Sequence, residues 1–142
     1  MQETRYFNYG DREIQWLKSR DSALGAAIDE IGPVHRPVIP DLFTALLHSI
    51  TGQQISSKAH TTVRNCVLER FTPMTPEIVD AASAEAVQGC GITMKKAVYI
   101  KEIAASVLNG RLDLERQQTR PDDEVSAALC RVKGIGVWTA EL

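Results

Sequence analysis

The sequence predicts an all-α fold, and three observations carry that prediction. Apolar residues recur three and four positions apart through most of the chain. Residues suited to begin a helix stand just ahead of those stripes: Asp41, Thr75 followed by Pro76, and Thr93. No stretch alternates polar and apolar side chains as a half-buried strand must, and there is no internal repeat or low-complexity tract.

In chain order, the first ten residues hold Tyr6, Phe7, Tyr9 and Gly10 and read either as a loose tail or as a strand remnant packing its aromatics on the body. Asp11 to Lys18 forms a short helix with Ile14 and Leu17 on one side. Asp21 or Ser22 caps a second, which carries Leu24, Ile28 and Ile31 and is stopped by Gly32-Pro33. The stretch from Gly32 to Pro40 contains three prolines and is an extended connector, a loop rather than a domain boundary.

Asp41 caps the next helix, and Leu42, Leu46, Leu47 and Ile50 make it the central buried one. Thr51-Gly52-Gln53-Gln54 interrupts. A helix from Ile55 to about Phe71 then presents Ile55, Ala59, Val63 and Val67 as a stripe. Thr75-Pro76-Glu77 opens another, and a short turn around Ser83, Ala86 and Val87 ends at Gly89-Cys90-Gly91.

Thr93 caps a long helix from Met94 to about Asn109, with Ala97, Ile100, Ala104 and Leu108 inward and Gly110 after it. Arg111 to Pro121 is polar. Asp122 to Arg131 is a helix with Val125, Ala128, Leu129 and Val132 on one face, and Asp122-Asp123-Glu124 complement its positive end. Gly134-Ile135-Gly136 breaks it, and Trp138-Thr139-Ala140 opens a last helix. The expected organisation is one helical domain over 1–142, with the paired helices and their hairpin at about 122–142.

Composition sets the outer bounds. Hydrophobic residues make up 44% and charged residues 24% of 142, ordinary for a soluble globular protein. A net charge of −2 excludes a broadly basic coat, so any nucleic-acid contact is a local patch helped by helix amides. No apolar run reaches membrane length and the N-terminus lacks a signal-peptide core, so no membrane partner is expected. Cys66, Cys90 and Cys130 are odd in number and widely spaced, and read as reduced thiols of a cytosolic protein. His35, His48 and His60 show no ligand spacing, and no metal site is expected.

Chemically, two glycines around one isoleucine make a tight helix-to-helix turn, and the free amides of the following helix can hold an anion such as a backbone phosphate. By itself such a spacing is also an ordinary interhelical turn. Gln53 and Gln54 can equally be two solvated polar residues, and Lys95 and Lys96 a solvated face. A tryptophan that opens a helix is as often core as binding surface.

Three strings together decide more. Val132-Lys133-Gly134-Ile135-Gly136-Val137-Trp138-Thr139-Ala140, the turn within Ser49-Ile50-Thr51-Gly52-Gln53-Gln54-Ile55-Ser56, and Gly91-Ile92-Thr93-Met94-Lys95-Lys96-Ala97 with Tyr99-Ile100 resemble the helix-hairpin-helix superfamily of DNA glycosylases. That superfamily carries the hairpin, a Gly/Pro-rich loop and a catalytic aspartate. The likeness is to its 3-methyladenine (alkylated-base) branch and runs from about Arg12 to Leu142.

The resemblance implies a base-excision enzyme that hydrolyses the N-glycosidic bond of an alkylated purine, with double-stranded DNA holding a damaged base as its partner. Lys133, Gly134, Ile135, Gly136, Thr139 and Lys96 would meet the DNA backbone, which fixes register without reading sequence. Gln54, with Gln53 second in line, would fill the hole left by a flipped nucleotide. Trp138 would wall the base pocket, where a cationic purine is held by stacking and cation-π attraction.

In relatives that also cut the strand the hairpin position of Trp138 holds a Schiff-base lysine, so a lyase is not expected. The resemblance places the catalytic aspartate beyond Leu142. These 142 residues are therefore expected to be a C-terminally truncated, inactive glycosylase domain. A helix cut short at Trp138 to Leu142 is free to swap with a neighbouring chain. No cofactor is expected apart from a monovalent cation that hairpin carbonyls hold in relatives. Iron-sulfur ligands, where relatives have them, follow the hairpin. The expected location is cytoplasmic, of bacterial type and nucleoid-associated. Two other classes stay open: a non-catalytic duplex-binding module, and a helical interaction protein with no DNA role.

Overall fold

A computed structural model describes residues 4–142, ten helices and no extended strand among them. The described residues fall into two compact units, and the chain passes from one to the other between Pro40 and Asp41. The proline-rich connector read as a loop thus ends where one unit gives way to the next.

The first unit holds α1 (Asp11–Arg20) and α2 (Ser22–Ile31), packed on each other. The Asp21 carboxylate accepts from the Leu24 amide 2.9 Å away and caps α2. The two helices come close because Gly25 is buried: a β-carbon there would lie 3.4 Å from Lys18 Cα. Lys18 pairs with Asp29 across them. An isolated antiparallel bridge joins Tyr6 to Pro37, flanked by Phe7 N to Arg36 O and Val38 N to Arg5 O, so the segment is a strand remnant rather than a tail. The expected packing of its aromatics is corrected: Tyr6 and Phe7 are exposed. Helical spacing does not mean burial here: Leu24 and Ile31 are 42% and 71% exposed.

The second unit is built on α3 (Leu42–Thr51), capped by Asp41, whose Phe43, Leu46, Leu47 and Ile50 are buried. Ile50 is 0% exposed, and enclosing such a side chain stabilises by about 1.5–3 kcal/mol. Around α3 lie α4 (Ser57–Arg70) and α7 (Met94–Leu108), and α5 (Pro76–Ala81) and α6 (Ala84–Gln88) pack on α7. Thr75, Ser83 and Thr93 each accept an amide hydrogen of the helix they begin.

Three expectations are corrected. The helix expected from Ile55 starts at Ser57, because the Ser56 hydroxyl caps it, and only Val63 and Val67 of the four-residue stripe are buried. Leu108 is exposed, and the inward face of α7 runs through Ala97, Ile100, Ile103 and Ala104. A 3.6-residue turn carries that face toward Val107 rather than Leu108. The polar stretch 111–121 contains a short helix, α8 (Leu114–Gln117), capped by Asp113, with Leu112 and Gln117 buried. The chain closes with α9 (Asp122–Cys130) and α10 (Val137–Ala140).

Candidate nucleic-acid interface

Two turns of the second unit meet: the α3–α4 turn around Gly52-Gln53-Gln54 and the α9–α10 hairpin. Their contact is a side chain. Gln53 Nε2 donates to Gly134 O and to Thr139 Oγ1, both at 3.0 Å. An amide from the first turn therefore closes the second across 81 residues.

The hairpin has the shape its glycines permit, though the two are not equivalent. Gly134 sits at φ +90, where other residues are strained, and a β-carbon would lie 2.5 Å from the Tyr99 ring. Gly136 has φ −95 and nothing within 4 Å of a built β-carbon. It demands no glycine conformation and leaves open space beside the backbone. Ile135 between them is 4% exposed and plugs the hairpin into the core, and Ile135 N donates to Val132 O.

The α3–α4 turn is braced from below. His60 packs under Gly52 so closely that a β-carbon there would lie 2.6 Å from the imidazole. His60 Nε2 lies 3.1 Å from His48 O, a carbonyl that also accepts from Thr51 Oγ1 at 2.9 Å. The His48 and His60 rings are 4.3 Å apart. Desolvation, followed by the His60 and Arg64 charges, pushes His48 down to about 4.

Lys96, from the first turn of α7, donates to Thr51 O at 3.2 Å and also to Gln53 O. Desolvation holds its ammonium below the ordinary lysine value. Above this bracing, Gln54 is exposed and adopts φ +55, the one non-glycine residue with positive φ among those described.

The residues expected to meet DNA divide accordingly. Lys133 projects into solvent, 76% exposed and 3.8 Å from the Glu102 carboxylate. Gly136 is exposed. Ile135 and Thr139 are buried, so only their backbone could face a phosphate. Lys96, expected to meet a phosphate, points inward, and its ammonium donates to the carbonyls of Thr51, the last residue of α3, and of Gln53. Lys95, beside it, is exposed and lies 5.8 Å from the Tyr99 ring centroid. Gln53, second in line to fill a gap, has its carboxamide held by the hairpin, which leaves Gln54 as the free one.

Trp138 is 79% exposed, which removes the core reading. A neighbouring cleft of about 400 Å³ is lined by Asp122, Val125, Ser126, Ala140 and Glu141 and does not include the indole. Hairpin carbonyls are partly engaged already, Val132 O by Ile135 N and Gly134 O by Gln53. Among the described residues no group of three or more His, Cys, Asp or Glu could hold a metal. No described helix is long and apolar enough to cross a membrane.

Sequence reasoning missed the roles of His60 and Lys96 beneath the turn and of Tyr99 against Gly134. Tyr99 lies three residues after Lys96 on α7, a spacing that puts both on one helix face. Nothing in the sequence said what that face met.

A profile of the HhH-GPD superfamily base excision DNA repair protein matches residues 47–140, the span that contains both turns. The chain belongs to this superfamily. The HhH-GPD chain is similar to DNA-3-methyladenine glycosylase 1 of Schizosaccharomyces pombe, 28% identical over 108 residues, 70% of this chain and 46% of that protein. It is 25% identical over 114 residues to the DNA-3-methyladenine glycosylase of Saccharomyces cerevisiae, 73% of this chain and 38% of that protein. It thus spans less than half the length of either relative.

Among solved structures, a DNA-3-methyladenine glycosidase from Bacillus halodurans matches with a TM-score of 0.77 and 33% identity, over 96% of this chain and 64% of that one. A 3-methyladenine DNA glycosylase of Schizosaccharomyces pombe in complex with abasic DNA matches with a TM-score of 0.75 over 91% of this chain and 66% of that one. At 24% identity that likeness speaks for the fold alone. The expected all-α glycosylase-type fold is the one observed.

Proposed function

We propose that this HhH-GPD chain is the lesion-recognising part of a monofunctional DNA glycosylase that removes alkylated purines such as 3-methyladenine from double-stranded DNA. The observation that carries the reading is the junction of the two turns: an exposed Gln54 on a braced turn, stitched through Gln53 to the glycine hairpin. Extruding a nucleotide leaves a gap that a long, planar, hydrogen-bonding side chain can fill. The hairpin backbone beside Gly136 offers free amides to a phosphate, and Lys133 adds a positive charge next to it.

Trp138 supports the substrate class. An exposed indole is a surface for an electron-poor, cationic purine, and it stands where a strand-cutting enzyme would need a lysine amine. Excision then proceeds by water attacking C1′ as the base departs, with a carboxylate stabilising the cationic sugar.

The described acids near the hairpin are Asp122, Asp123, Glu124, Glu102 and Glu141, the last just after α10 and lining the cleft beside Trp138. Asp122, Asp123 and Glu124 occupy the first turn of α9, and Glu102 faces Lys133. None of these acids matches the position of the aspartate that the family carries after its hairpin, and residues 1–142 by themselves are on that ground assigned binding without chemistry. The test is incubation of the 142-residue chain with methylated duplex while free 3-methyladenine is assayed. Release no faster than the spontaneous rate is expected; release well above it overturns this assignment.

A further inference from the structure

We propose that Lys96 is a positioning residue for lesion recognition, orienting the Gln53–Gln54 peptide so that the Gln54 side chain is aimed out of the α3–α4 turn. The inference rests on the reading of Gln54 as the residue that fills the gap.

Four observations converge. Lys96 donates to Thr51 O and to Gln53 O, the carbonyls on either side of Gly52. Gln53 O belongs to the peptide whose plane sets the φ of Gln54. That φ is +55, a left-handed conformation that disfavours an L-residue and persists only where the surroundings impose it. On the other face the Gln53 side chain is tied to Gly134 and Thr139. The peptide preceding Gln54 is thus held by an ammonium at its oxygen while Gln53 is held by the hairpin, and of the two glutamines Gln54 is the exposed one.

An ammonium suits this task better than a neutral donor. It has three hydrogens to share between two carbonyls, and it lies at the C-terminal end of α3, where carbonyl dipoles concentrate negative charge. A lysine reserved for a phosphate would have to leave both carbonyls at the moment the turn is needed in a fixed shape.

The test separates positioning from phosphate binding. Affinities of the 142-residue chain are measured over a range of KCl concentrations, on an undamaged duplex and on one holding a tetrahydrofuran abasic-site analogue. Lys96→Met should lose about tenfold on the abasic duplex and less than about twofold on the undamaged one, with the salt slope unchanged. In a Gln54→Ala background, Lys96→Met should cause no further loss of preference, because the residue acts through Gln54.

Equal losses on both duplexes with a slope lower by about 1 would make Lys96 a phosphate ligand and overturn the proposal. Additive losses in the double variant would overturn it as well. If Lys96→Met melts below the assay temperature, Lys96→Gln keeps a neutral donor at the carbonyls and should show the same pattern at about threefold. A wild-type chain with no preference for the abasic duplex sinks the underlying reading and this inference together. A wild-type preference that survives Lys96→Met or Lys96→Gln sinks this inference alone.

Discussion

Gln53 and Gly134 are joined by a 3.0 Å hydrogen bond from the Gln53 carboxamide to the Gly134 carbonyl, and that bond makes one surface of two turns far apart in sequence. The same amide nitrogen reaches Thr139 Oγ1, so the hairpin is held on both sides of Gly136. Gln53→Ala leaves these acceptors without their donor and should cost about 1–2 kcal/mol, read as a lower urea midpoint at unchanged m-value. Combined with Thr139→Val, the loss should be less than the sum of the single losses, since both remove one interaction.

The hairpin glycines should part company on mutation. Gly134→Ala forces a β-carbon toward Tyr99 at positive φ and should destabilise by about 2 kcal/mol. Gly136→Ala should stay within about 0.5 kcal/mol of wild type in stability. A bulky residue at 136 should nonetheless weaken duplex binding at all sequences alike, because it fills the space a backbone phosphate would enter. Thermal melts and duplex affinities of both variants check this; equal destabilisation would mean the glycines are equivalent.

How legible this was in the sequence differs from residue to residue. The caps at Asp41, Thr75 and Thr93 and the stripe on α3 were readable because local chemistry and helical period act over a few residues. The hairpin and the Gln53-Gln54 turn were recognisable as strings. What each glutamine does was not, since Gln53 finds its partners 81 and 86 residues away. Lys96 shows the same limit: beside Lys95 on a helix's first turn it reads as a solvated cation, and only the approach of α3 turns it inward. Leu24 and Ile31 mark the opposite failure, with helical spacing and no burial.

Acidification should destabilise the fold through His48. Its folded value lies near 4 and its ordinary value near 6.5, so the native state favours the neutral ring. The unfolded chain takes up the proton first, and the stability contributed by the neutral ring is present above about 6.5 and lost as pH falls toward 4. His48→Gln should therefore lose less stability than wild type across that window in denaturant titrations. Parallel profiles for the two proteins would contradict the assignment.

Trp138→Ala should leave stability within about 0.5 kcal/mol of wild type, as expected of an indole 79% exposed. It should weaken binding to duplexes carrying a cationic alkylated purine more than to undamaged ones. A large drop in melting temperature would instead return Trp138 to the core.

The central claim is that the braced Gln54 turn reads a gap in duplex DNA. It is tested most directly by comparing wild type with Gln54→Ala on duplexes with and without an abasic-site analogue, at one fixed salt concentration. The account predicts that wild type prefers the gapped site and that Gln54→Ala loses most of this preference while binding undamaged duplex nearly as before. Equal losses on the two duplexes would make Gln54 an ordinary backbone contact and contradict the account.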